Sequence, residues 1–142
     1  MCTKLIEEYI HEGAGYNPLL IRDGWQVAKL NPFSGHGLDE IDRIEVHNST
    51  DEVFVLIHGT AVLIAAGVES DDEIRFHTIR MKPGIIYNLP KGVWHNIAME
   101  KGAELIIVEK DNTHLNDCEY KNLSPLQQTE LKKQIKGKTI KE

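Results

Sequence analysis

Cysteine is scarce in this chain. The two cysteines, Cys2 and Cys118, stand far apart, with no CxxC pair and no dense framework, which argues against a secreted disulfide scaffold and makes reduced thiols in a cytoplasmic protein the expectation. Long apolar runs are missing too. The longest is Ala61 to Val68, and the N-terminal apolar residues are interrupted by charges, so neither a membrane-spanning helix nor an ordinary signal peptide is expected. Basic charge is in deficit: 16 Lys and Arg against 22 Asp and Glu give a net charge of −6, which repels phosphate backbones and anionic membrane surfaces. Lys132, Lys133, Lys136, Lys138 and Lys141 do gather near the C-terminus, but apolar residues separate them and no aromatic offers a base a stacking surface. They read as a solvated helix face, and neither nucleic acid nor a membrane is expected as a partner.

What is present is ordinary globular material. With 41% hydrophobic and 27% charged residues, 142 residues suit a single domain, 1–142, with one core. Leu5, Ile6, Tyr9 and Ile10 recur at helical spacing ahead of Gly13, predicting a short N-terminal helix. From Gly24 to about residue 110 the pattern becomes short β-type runs: Trp25 to Leu30, Ile41 to His47, Glu52 to His58, Ala61 to Val68, Glu73 to Met81, Ile85 to Leu89, Val93 to Met99 and Ala103 to Glu109. Turn residues such as Gly59, Lys82-Pro83-Gly84, Pro90-Lys91-Gly92 and Lys101-Gly102 separate them. Some eight short strands at regular spacing predict a sandwich or barrel. Near the end, Ser124 as N-cap, Pro125 as the first helical residue and Gln127 as the answering capping-box residue precede Leu131 and Ile135, predicting a helix over 124–136 that Gly137 stops.

Alternation along strands places Ile41, Arg43, Glu45 and His47 on one face, and Glu52, Phe54, Leu56 and His58 on one face of the next strand. A third row, Val93, His95, Ile97 and Met99, follows the turn at Pro90-Lys91-Gly92. Ionisable residues from three strands are thus expected to share one interior, centred on His47 and His95.

The segment Gly84-Ile-Ile-Tyr-Asn-Leu-Pro90-Lys-Gly92-Val-Trp-His95 resembles the second sequence motif of the cupin superfamily, with Met99 where that motif ends in asparagine. Glu45-Val46-His47, then Glu52, then Gly59, resembles a degraded first motif in which glutamate replaces one histidine. The resemblance implies an all-β fold, a cupin-type β-barrel (double-stranded β-helix or jelly roll) with short N- and C-terminal helices. It also implies that Glu45, His47, Glu52 and His95 occupy the positions that hold a divalent metal in many cupins. Imidazole nitrogen with carboxylate oxygen suits Fe, Mn, Zn or Ni. Glu45 also has an alternative as an ion-pair partner of Arg43 or of a neighbouring strand. The function implied is a metal-dependent enzyme of the isomerase, epimerase, lyase or dioxygenase class acting on a small polar metabolite; the alternative is a ligand-binding or sensor module, without catalysis and without metal.

Tyr87, His58 and Arg43 are the candidate proton carriers or anion clamp, and Arg75 is a further candidate contact. His58, next to the turn at Gly59, reads as a satisfied polar residue at the barrel rim rather than a ligand, and His36 as part of an exposed loop. His77 and Arg80 have opposite parity, so one of them at most faces inward. Trp25 and Trp94 are expected to pack, Trp94 away from His95. Apolar strand faces such as Val53, Val55 and Ile57 need a cover, which predicts a homodimer.

Overall fold

Ten strands and two helices account for most of the computed structural model, which describes residues 5–140; Cys2 and Lys141 lie outside the described residues. The strands are Gly15–Arg22 (β1), Trp25–Asn31 (β2), Arg43–Val46 (β3), Glu52–His58 (β4), Ala61–Ser70 (β5), Glu73–Arg80 (β6), Ile86–Leu89 (β7), Trp94–Met99 (β8), Glu104–Glu109 (β9) and Glu119–Asn122 (β10). The helices are Thr113–Asn116 (α1) and Pro125–Thr139 (α2). Two antiparallel five-stranded sheets, in the orders β1-β2-β9-β4-β7 and β10-β3-β8-β5-β6, face one another. All eight expected strands form, within one or two residues of their predicted ends, and the two sheets build the jelly-roll barrel expected.

Strand parity divides the apolar residues between two cores. Leu30, Phe54, Leu56, Leu63, Ile97, Leu105 and Ile107 point between the sheets. Ile44, Val62, Ile64, Phe76 and Ala98 point out of the second sheet, where Leu131 and Ile135 of α2 cover them. The capping box of α2 forms as the sequence predicts: the Gln127 N–H donates to Ser124 Oγ and the Ser124 N–H to Gln127 Oε1. The helix runs through Gly137 to Thr139, because Ile140 N–H still closes a turn on the Lys136 carbonyl and one glycine in a last turn costs too little to stop it.

Three expectations at the edges fail. Residues 5–14 are not helical; Leu5, Ile6 and Ile10 are exposed, so the predicted stripe has nothing to bury against. The carbonyls of His11 and Gly13 instead accept from the Asn31 amide, which ties this segment to the end of β2. Two edge strands, β1 and β10, escaped the pattern, since Pro18 and Asn17 interrupt one and Glu119-Tyr-Lys-Asn is polar throughout. Ile41 precedes β3 and enters the core under α2, so it does not share the interior row of Arg43 and Glu45. Trp94 packs on the far side from His95, as expected, whereas Trp25 is 43% exposed at the start of β2.

Gly59 holds the turn after β4 at φ 90°, and a Cβ there would stand 2.5 Å from Ala103 Cα. Gly59→Ala therefore costs about 2 kcal/mol or more. Leu131→Ala, which empties the fully buried contact of α2, costs about 2–5 kcal/mol. Leu126→Ala, on the exposed face of the same helix, stays within about 0.5 kcal/mol of wild type. Denaturant melts of the three variants check this order.

Candidate functional site

A cavity of about 200 Å³ opens between the two sheets, and Glu45, His47, Glu52 and His95 all line it. Glu45 and His95 are directly paired across β3 and β8, which puts both side chains on the inner face. Glu52 begins β4 and projects inward with Phe54 and Leu56. His47 follows β3, and its position is fixed from two sides. Its carbonyl accepts the Gly92 N–H at 2.7 Å, a bond available because Gly92 adopts φ 82° in the turn that launches β8. Its ring Nδ1 lies 2.6 Å from the Asp117 carbonyl oxygen. The Asp117 carboxylate accepts the Asn48 and Ser49 N–H groups, so one residue clamps the whole bend after β3.

Those contacts decide the tautomers. A carbonyl oxygen only accepts, so the proton of a neutral His47 ring sits on Nδ1 and its Nε2 keeps a lone pair. His95 repeats the arrangement, with Nδ1 2.9 Å from the Val93 carbonyl. The rings stand 5.1 Å apart between centroids, and both present Nε2 to the carboxylates. His47 Nε2 is 2.7 Å from Glu52 Oε2, and His95 Nε2 is 3.6 Å from both Glu45 Oε1 and Glu52 Oε2. A separation of 3.6 Å is too long for a hydrogen bond. It suits two ligands of one ion, each about 2.1 Å from it. His95 Nε2 and Glu52 Oε2 are buried without a hydrogen-bond partner. Lone pairs aimed at carboxylate oxygens repel unless a proton or a cation stands between them. The ligand atoms of Glu45, His47 and His95 lie within 4.8 Å of one another, as do those of His47, Glu52 and Glu109.

Without a cation, protons must do that work. Burial opposes a charge on His47, but its contact with Glu52 and the charge of that carboxylate outweigh burial and raise it to about 9. Burial likewise opposes charge on Glu52, and His47 with His95 overcomes it, lowering the carboxyl to about 2. His95 is raised for the reason that holds for His47.

Glu109, not anticipated from the sequence, completes the group. It pairs with Glu52 across β4 and β9, and its Oε1 accepts from the Tyr16 hydroxyl at 2.6 Å. Gln26 Nε2 donates to Tyr16 Oη, and the Asn112 N–H to Gln26 Oε1, so the orientation of this carboxyl is held through three residues. Burial and the adjacent Glu52 push Glu109 up to about 8. The sequence signal was an acidic residue ending the apolar strand Glu104–Glu109. Cys118 also lines the cavity and donates to Glu45 Oε2; burial, with the charge of Glu45, pushes its thiol up to about 12 and leaves it a poor nucleophile.

Of the remaining candidates, only Arg43 reaches the cavity. Glu45 is not its ion-pair partner. A register shift after Leu56 turns His58 outward, where it meets Glu104 at the barrel rim. Tyr87 packs beside the inner core and its hydroxyl accepts the Lys82 N–H, away from the cavity. On the edge strand β6, His77 is in register with Ala65 and Arg80 with Val62; neither lines the cavity, nor does Arg75. His36 departs from the exposed loop expected: it stacks on Phe33 at 4.1 Å and forms part of the cavity wall.

No protein-family model matches the sequence, and no curated protein matches it. Solved structures do match in shape. The Streptomyces protein PAC13, solved with uridine, is 10% identical with a TM-score of 0.56, covering 89% of this chain and 98% of that one. BH2720 of Bacillus halodurans is 18% identical with a TM-score of 0.55, covering 73% and 75%. An oxalate oxidase solved with the substrate analogue glycolate is 14% identical with a TM-score of 0.46, covering 67% and 44%.

The protonation pattern predicts how the metal-free protein responds to pH. His47 and Glu109 have raised values, so their contributions are complete below the unfolded values of 6.5 and 4.5 and are lost as pH rises through about 9 and about 8. Glu52 has a lowered value, so its contribution is present above 4.5 and is lost as pH falls toward about 2. In chelator, the melting temperature is expected to fall steadily from about pH 6.5 to about pH 9. A flat profile across that interval contradicts the assignment.

Proposed function

We propose that this chain, a cupin by fold, is a metal-dependent enzyme that binds one divalent ion through Glu45, His47, Glu52 and His95 and acts on a small polar metabolite in the barrel. One observation carries the reading. Both imidazoles have Nδ1 committed to a backbone carbonyl and direct Nε2 toward buried carboxylates, His47 Nε2 at 2.7 Å from Glu52 Oε2 and His95 Nε2 with no hydrogen-bond partner. Such a donor set suits Fe, Mn, Zn or Ni and leaves room for a ligand on the cavity side. A bound ion would polarise an oxygen of the metabolite as a Lewis acid.

Proton-transfer chemistry, as in an isomerase, epimerase or lyase, fits the rest of the site better than dioxygenation. Glu109 stands in register with Glu52, and burial together with the charge of that neighbour favours its protonated form, which makes it the carboxyl placed to carry a proton. Tyr16 orients that proton carrier. Asp117 and Val93 hold the two rings in the tautomer a metal requires. The apolar wall of Leu30, Phe33, Phe54, Ile97 and Ile107 limits water around the reacting group.

Protein grown with Mn, Fe, Ni and Zn is expected to retain about one ion per chain by elemental analysis. His95→Ala and Glu52→Gln each lose most of it, while Glu109→Gln keeps it. Wild-type protein without a stoichiometric ion contradicts the metal assignment, and loss in Glu109→Gln makes that residue a ligand, not a proton carrier.

A homodimer belongs to the same reading. Val53, Val55, Ile57 and Ile86 form an apolar outer face on the first sheet, on the opposite side of the barrel from α2. Sedimentation over a concentration series is expected to show a dimer, and monomer at every concentration contradicts it.

A further inference from the structure

The metal reading leaves one cation at the cavity unused. Arg43 is the only lysine or arginine in the cavity wall, and among the described residues its side chain makes no salt bridge and donates no hydrogen bond. It is nevertheless positioned. Its guanidinium carbon stands 4.0 Å from the centroid of the Tyr120 ring, on the neighbouring strand β10. Contact with an aromatic face occupies one side of a guanidinium and leaves its N–H edge free.

Its location relative to the donor set follows from strand geometry. Ile44 enters the core under α2, so Arg43 and Glu45 on either side of it share the inner face of β3. Their Cα atoms are about 7 Å apart along the strand, so Arg43 joins the cavity wall one inward position before Glu45, toward the start of β3. They line a cavity of about 200 Å³, too small for a large ligand, whose far wall is apolar. At the inner end the charge of a bound divalent ion would already be matched by Glu45 and Glu52, which leaves little attraction there for a further anionic group. The mouth end carries Arg43.

We infer that the cavity selects a small carboxylic acid, whose carboxylate is gripped by the N–H edge of Arg43 while its other polar end lies at the donor set. This rests on the metal reading for the inner end alone. A planar carboxylate matches the paired donors of a guanidinium edge. A phosphate group matches that edge too, but it is larger and brings more negative charge beside Glu45.

Calorimetric titration of manganese-loaded protein tests the inference, with two acids each compared with its own neutral amide: lactate with lactamide, and 3-hydroxypropionate with 3-hydroxypropionamide. At least one acid is expected to bind about tenfold or more tighter than its amide. Arg43→Gln abolishes that preference without changing manganese content, and Arg43→Lys restores part of it. Because Arg43 is exposed, both variants are expected to melt as wild type does. No preference for either acid, whether or not the amides bind, overturns the inference, as does a preference that survives Arg43→Gln. Tighter, Arg43-dependent binding of inorganic phosphate overturns it in favour of a phosphate ligand. If the wild-type protein retains no manganese, the metal reading fails by itself; an Arg43-dependent preference for acid over amide in that metal-free protein still upholds the carboxylate grip, and its absence overturns it.

Discussion

The hydrogen bond from the Gly92 N–H to the His47 carbonyl joins two segments 45 residues apart in the chain, and the site is assembled around that junction. On one side of it, Glu45 pairs with His95 across β3 and β8. On the other, Glu52 enters from β4 in register with Glu109 on β9. The second sheet therefore contributes Glu45 and His95, the first contributes Glu52 and Glu109, and His47 stands at the bend that leads from one sheet to the other. A glycine with positive φ at that turn lets the backbone come close enough for the bond, and the carboxylate of Asp117 secures the bend from outside.

Gathering three carboxyls and two imidazoles in the interior of a small barrel is expensive, because each buried charge loses its hydration. The molecule offsets this in layers. Ring Nδ1 atoms are satisfied by backbone carbonyls, Glu109 by Tyr16 and Gln26, and Glu45 in part by Cys118. What stays unsatisfied in this group is His95 Nε2 and Glu109 Oε2, while Glu52 Oε2 depends on the proton that His47 Nε2 can bring to it. In a native interior such atoms are uncommon, and their convergence is what a cation would relieve. The apolar core between the sheets supplies the rigid walls, and α2 closes the second sheet from behind without entering the site.

The barrel was legible in the sequence because alternation and turn residues are local rules, and the four residues singled out by their resemblance to the cupin motifs all line one cavity. Strand alternation gave the inward rows of Arg43 and Glu45, of Glu52 and Phe54, and of His95 and Ile97, while Pro90-Lys91-Gly92 marked the turn that brings His95 in. Parity also predicted correctly that Trp94 faces away. The failures were of three physical kinds. Exposed periodicity at Leu5, Ile6 and Ile10 imitated a helix that has no surface to cover. A bulge reversed His58, and no rule of alternation survives a bulge. Tyr16, Asp117 and Cys118 reach the site through an edge strand and a loop whose sequences carry no period, while Glu109 and Gln26 stand near the ends of the inner strands β9 and β2, so their meeting with His47 and Glu52 is a property of tertiary pairing. His36 escaped for a related reason: a glycine-flanked loop reads as exposed until stacking on Phe33 folds it over the cavity.

The central claim is that the two imidazoles share one cation with acidic neighbours. A crystal structure of protein purified from metal-supplemented medium, with diffraction recorded on either side of the absorption edge of the metal found, tests this most directly. The account predicts one anomalous peak within bonding distance of His47 Nε2 and His95 Nε2, with Glu45 or Glu52 among its ligands. An anomalous map with no peak between those rings, or with its peak elsewhere on the molecule, would contradict it.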